Sequence, residues 1–125
     1  MSTDDQATNR REARRRDLDC ALVLAVQGEV DMLTANLLWE EGERALTDGA
    51  TPPARPVVLD LTAVEFLDSH GIAALVRLAE SARRRGRPLS AVVADGQAIR
   101  RPIELCGLDR VVPVHAELGA AVADR

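Results

Sequence analysis

A chain of 125 residues is long enough for one compact domain and too short for two ordinary ones. Its formal net charge of −4 argues against non-specific nucleic-acid binding, which needs a basic field. Cys20 and Cys106 have no Cys or His at metal-ligand spacing, so no metal or cofactor is expected and each thiol reads as a small core filler.

All 16 basic residues are arginine, a bias that reads as base composition before it reads as function. Residues 1–16 are polar, end in Arg14-Arg15-Arg16, and are expected to form a flexible N-terminal segment ahead of a domain over 17–125. They lack the apolar core of a secretory leader, and no later run is long enough to cross a membrane. A cytoplasmic location and no membrane partner are therefore expected.

Cys20 to Val26 is a continuous apolar run with the length of a buried strand. Asp31 or Thr34 can cap the helix that follows, on which Leu33, Leu37, Leu38, Ala45 and Leu46 form one stripe and Glu40, Glu41, Glu43 and Arg44 face water. Gly49 through Pro56 reads as a loop. Pro56 to Leu61 is a second strand. The next helix has Ser69 as its expected N-cap, with Asp68 beside it, and Ile72, Leu75, Val76, Ala79 and Ala82 as its buried face. Arg83, Arg84 and Arg85 suit its negative end, and Gly86 and Pro88 stop it. Leu89–Ala94 is a third strand, 97–106 a helix firm from about Pro102, Val111–Val114 a fourth strand, and Glu117–Ala123 a terminal helix. Alternation of strand and helix predicts an α/β domain with a largely parallel sheet.

Chemistry concentrates in Phe66-Leu67-Asp68-Ser69-His70-Gly71, between a buried strand and an amphipathic helix. Sites in α/β sheets gather at the carboxyl ends of strands. A hydroxyl at a helix start lies where an anion is favoured, and a phosphate there would add about −1.5 to −2 charges. By spacing alone Ser69 reads first as a cap and second as a modification site. A serine hydrolase is the less favoured reading, because Leu67 stands where G-x-S-x-G needs its first glycine. His70 reads as an exposed helix-start residue and His115 as a strand-end residue. Glu29 and Asp31, around Val30, read as turn and cap residues.

Together, Gly28-Glu29-Val30-Asp31, the stretch from Val58 to Gly71 containing Asp68-Ser69-His70-Gly71, and Leu105-Cys106-Gly107-Leu108-Asp109 resemble the STAS domain of bacterial anti-sigma factor antagonists. The resemblance covers about residues 20 to 120 and reverses the order of the two readings of Ser69. It implies a single STAS-like domain with a mixed, largely parallel sheet of four to five strands and about four helices. It also implies a binding protein rather than an enzyme. Unphosphorylated, such a protein binds an anti-sigma factor that is a serine kinase of the histidine-kinase-like ATPase group, and so releases a sigma factor. Phosphorylation of the motif serine, here Ser69, ends binding, and a PP2C-type phosphatase resets it. The implied docking residues are Glu29, Asp31, Asp68, Ser69 and His70, with Gly28 and Gly71 structural. STAS domains also serve as accessory subunits in stress-sensing or lipid-transport assemblies, the alternative this resemblance leaves open.

Overall fold

The computed structural model describes residues 13–48 and 55–123. Five strands lie in sequence order across one sheet: β1 (Ala13–Asp17), β2 (Leu22–Val30), β3 (Val57–Leu67), β4 (Leu89–Val92) and β5 (Val114–His115). β1 runs antiparallel to β2, and the other neighbours are parallel. Each parallel step carries a crossover helix: α1 (Ala35–Thr47), α2 (Ser69–Arg85) and α3 (Arg100–Leu105). A fourth helix, α4 (Leu118–Ala123), closes the chain.

Crossovers that all step the same way, with the right-handedness such connections favour, place α1, α2 and α3 on one face. The main core lies there, where Leu22, Leu24, Val57, Leu59, Ala91 and Val93 meet Leu38 and Leu46 of α1, Leu75 and Leu78 of α2, and Ile103 of α3. The intervening residues Val23, Val58 and Val92 point to the opposite face and pack with Ala121 of α4. This period-2 split is why the strands read as continuous apolar runs.

β1 lies partly inside the segment expected to be a polar tail; residues 1–12 fall outside the described residues. An edge strand needs little burial. Ala13 alone is buried, while three exposed arginines occupy an edge where charge discourages strand addition. Arg15 pairs with Asp48 just past α1, tying this edge to the helix layer.

The stripe of α2 is rotated from the expected one. Gly71, Ala74, Leu75, Leu78, Ser81 and Ala82 are buried, and Val76 is 38% exposed. Small and polar residues hide that face from an apolar count. Gly42 of α1 admits Leu78, whose Cδ atoms would lie 2.7 Å from a Cβ at that position. Ser81 donates to Glu43 at 2.7 Å, and Arg85 donates to the same carboxylate at 2.6 Å. Glu43 therefore bridges the two helices instead of facing water. The last strand is shorter and later than expected. A 3₁₀ turn at Leu108–Arg110 precedes it, and Pro113 has no N–H for the ladder. No disulfide joins the cysteines; Cys20 packs beside the second core, whereas Cys106 is exposed at the end of α3 and is not a core filler.

Candidate functional site

The site is built where β2 and β3 end. Register pairs Glu29 with Phe66 and Val30 with Leu67, so Glu29–Asp31 and Asp68–His70 lie at adjacent strand ends. Two register slips bring them there, one between Ala25 and Gln27 and one between Gly28 and Glu29, with the extra residues on β3. Gly28 sits at φ 86°, a backbone region costly for a residue with a Cβ. On β3 the Asp60 carboxylate accepts from Thr62 N–H at 3.1 Å and its hydroxyl at 2.7 Å, bending the strand. Buried positions then fall every third residue, at Leu61, Val64 and Leu67.

Beyond Val92 the β4 strand no longer pairs with β3, and a side chain replaces it. Gln97 Nε2 donates to the carbonyls of Leu61 at 2.7 Å and Val64 at 2.9 Å, while its Oε1 accepts from Ala94 N–H at 2.8 Å. Periodicity gives no sign of this role, since a lone polar residue in a turn carries no pattern.

Asp68, not Ser69, is the N-cap of α2. Its Oδ1 accepts from the backbone N–H of His70 at 2.8 Å and Gly71 at 3.2 Å. Asp68 is extended, with φ −95° and ψ −170°, and Ser69 is already the first helical residue. A carboxylate one position earlier reaches the same amides that a Ser69 cap would have used. Desolvation pushes the Asp68 pKa up, but hydrogen bonds from Gly71 N–H, the His70 ring and His70 N–H, with the His70 charge, outweigh it. Together they hold the carboxyl below its usual range. The His70 ring nitrogen Nδ1 lies 3.4 Å from Asp68 Oδ2, so the histidine faces the cap rather than serving as a base for Ser69.

Asp31 performs the matching task at the end of β2. Its Oδ1 accepts from Leu33 N–H at 3.0 Å and Thr34 N–H at 3.3 Å, shaping the turn that enters α1. The Thr34 hydroxyl donates to the Glu29 carbonyl at 2.6 Å and accepts from Asp31 N–H at 3.0 Å. Asp31 and Asp68 thus hold the backbone, while Glu29, Ser69 and His70 are exposed.

Three exposed apolar residues share this end of the sheet. Met32 and Leu33, on the Asp31 turn, are 63% and 81% exposed, and Phe66 is 50% exposed. Leu33 precedes α1 and is not part of its buried stripe. Helical periodicity assigns it to the core because Asp31 caps a turn that comes before the helix itself. Large apolar side chains gathered beside exposed polar ones are the composition of a protein-docking surface.

A sheet of this order, with aspartate-shaped turns at the ends of β2 and β3 and a serine opening the helix after β3, is the arrangement of a STAS domain. The chain belongs to that family: the family model described as "Mlab, STAS domain" matches residues 13–113. It is similar to the anti-sigma-F factor antagonist RsfB of Mycobacterium tuberculosis, 39% identical over 101 residues, covering 80% of this chain and 77% of that protein. RsfA, another anti-sigma-F factor antagonist of the same organism, is 30% identical over 105 residues, 84% of this chain and 80% of RsfA. The crystal structure of an anti-sigma factor antagonist from Mycobacterium paratuberculosis superposes with a TM-score of 0.77 at 36% identity, over 89% of this chain and 90% of that one.

Proposed function

We propose that this chain is an anti-sigma factor antagonist. Unphosphorylated, it docks on an anti-sigma factor of the serine-kinase, histidine-kinase-like ATPase type through the ends of β2 and β3, and this releases a sigma factor. Phosphorylation of Ser69 ends the docking, and a PP2C-type phosphatase restores it. On this reading the chain is a cytoplasmic binding protein and not an enzyme. Among the described residues no helix is long and apolar enough to cross a membrane.

One observation carries the reading: Ser69 is exposed at the first position of α2 while Asp68 already occupies the helix-end amides. A phosphate on Ser69 would find those donors taken and a carboxylate beside it. It would project as an unneutralised dianion toward whatever packs on Met32, Leu33 and Phe66. An interface of ordinary size, about 1,600 Å², would have to desolvate it. A penalty of about 2.7 kcal/mol lowers affinity about a hundredfold.

The test is capture of the partner from the native cell, followed by calorimetry with the purified pair. Ser69→Ala should bind like the unmodified protein and Ser69→Glu about a hundredfold more weakly. Equal affinity of the two variants overturns the switch. The STAS resemblance leaves a second reading open, an accessory subunit of a larger assembly without a phosphorylation switch. Stable capture by wild type and Ser69→Glu alike would select it.

A further inference from the structure

Helices α1 and α2 run side by side in the same direction, and side chains join them at matched heights. Gly42 admits Leu78, and Glu43 takes Ser81 and Arg85. One turn nearer the helix starts, Arg77 of α2 lies over the Trp39 ring of α1, its Cζ 4.1 Å from the ring centroid. That is the separation of a cation–π pair. Trp39 is half-buried against the main core, so its ring is a fixed platform, and Arg77 above it is exposed.

The pair is continuous with the docking surface. His70, Ala73 and Arg77 are exposed and follow at i, i+3 and i+7, one stripe of α2 that starts beside Ser69. Arg77 stands about 12 Å beyond Ser69 along the helix axis, at 1.5 Å per residue. An interface of ordinary size covers about 800 Å² of each partner, a patch with a radius of about 16 Å. A protein docked with its centre near Ser69 therefore reaches Arg77.

Arg77 also has unused donors. Among the described residues it makes no ion pair and no hydrogen bond, whereas Arg15, Arg44, Arg85, Arg87 and Arg100 are all engaged. The carboxylates around it are turned elsewhere. Glu41 holds Arg44, Glu43 holds Arg85, and Glu80 lines a groove on the other flank of α2 with Ala79 and Arg83. Glu40 lies about 100° further round α1 than Trp39, exposed and outside any ion pair among the described residues. A guanidinium stacked on a ring keeps its N–H edge outward, and the ring already restricts its rotamers, so little freedom is lost when a partner meets it.

We propose that the Arg77–Trp39 pair is a second anchor of the docking surface, to which the anti-sigma factor presents the carboxylate of an aspartate or glutamate. This rests on the docking reading above and adds a partner chemistry to it. The planar fork matches a carboxylate with two parallel hydrogen bonds. Tryptophan and arginine are also the residues that most often dominate interface energetics. With Glu29 exposed near Ser69 and Arg77 lower on α2, the surface carries both signs of charge and so fixes the orientation in which a partner docks.

The anti-sigma factor captured by the wild-type chain is purified unlabelled and added to the full chain labelled with nitrogen-15. The chain has one tryptophan, so a single indole N–H resonance reports on the pair. That resonance and the Arg77 amide should shift together with the amides of Ser69 and His70. Arg77→Gln should weaken binding about tenfold, Arg77→Lys less, and Arg77→Glu more. Each Asp and Glu of the partner is then replaced in turn by Lys. One replacement should weaken the wild-type chain and restore binding to Arg77→Glu by at least about tenfold. Shifts at Ser69 and His70 without the indole would overturn this inference and leave the docking reading standing; shifts at neither would overturn both. Wild-type affinity in Arg77→Gln, or the lack of any restoring replacement, also overturns it.

Discussion

Gly71 packs so tightly beneath Val30 that a Cβ on it would fall 2.8 Å from the Val30 carbonyl oxygen and 2.9 Å from Val30 Cγ1. That same carbonyl accepts the Asp68 N–H at 3.2 Å. The end of β2 and the first turn of α2 are therefore joined through one peptide group. The position of Ser69 relative to Glu29 and Asp31 follows from this joint rather than from any direct contact among their side chains.

Gly71→Ala should break the joint. Its new methyl would meet Leu67 Cδ1 at 2.5 Å as well as the Val30 backbone, and a backbone oxygen in a sheet cannot step aside as a flexible side chain can. Overpacking of this kind costs about 1–3 kcal/mol. A lower urea midpoint with an unchanged slope would register it. Affinity for the partner should fall as well, because relief of the clash moves the start of α2.

The cap of α2 titrates. The Asp68 pKa lies below its usual value, so the carboxylate's contribution to stability is fully present above the unfolded-state pKa, about 3.9. It is lost as pH falls through the folded pKa. Asp68→Asn keeps an acceptor for His70 and Gly71 but cannot titrate. Wild type should therefore be more stable than Asp68→Asn near neutrality, and the gap should close below about pH 3.9. Denaturant midpoints of the two proteins across pH 6 to 2 check this, since their other carboxylates are shared.

The order of elements was legible from apolar runs, glycines and prolines, because strands buried on both faces and a long amphipathic helix announce themselves. So was the placement of Asp68-Ser69-His70-Gly71 between a buried strand and a helix. Less visible was the division of labour within that segment. Either Asp68 or Ser69 can cap a helix, and the extended backbone of Asp68 with its carboxylate on the His70 and Gly71 amides gives it the role. β1 stayed hidden because an edge strand with one buried residue has no apolar pattern. The inward turn of Glu43 depends on Ser81 and Arg85, about forty positions away, a distance that no local period reports.

Leu33 and Phe66 should matter to binding and not to folding. Both are at least half exposed, so truncation removes little buried surface. In an interface, an apolar anchor that becomes fully desolvated is worth more than about 1 kcal/mol. Leu33→Ala and Phe66→Ala should each weaken partner binding about tenfold, with thermal midpoints close to wild type. A control truncation at Leu105, 73% exposed beside the exposed Cys106, should leave affinity unchanged.

Gln97 substitutes for a missing piece of β4, and this makes it a test of how the site is held. Gln97→Leu removes the donor to the Leu61 and Val64 carbonyls and the acceptor for Ala94 N–H, leaving three partly buried main-chain groups to find water or shift. An unsatisfied group costs about 1–3 kcal/mol. Gln97→Glu separates the two halves of the role: it keeps the acceptor for Ala94 but places a carboxylate against two carbonyls, so it should destabilise at least as much as leucine. The damage should be local. Amide exchange should quicken along Leu61–Val64, where Gln97 holds two carbonyls beyond the last residue paired with β4, and stay slow along Val57–Leu59, where β4 pairs. Uniform quickening across β3 would mean that Gln97 supports the whole sheet and not the bent end that carries Phe66 and leads into Ser69.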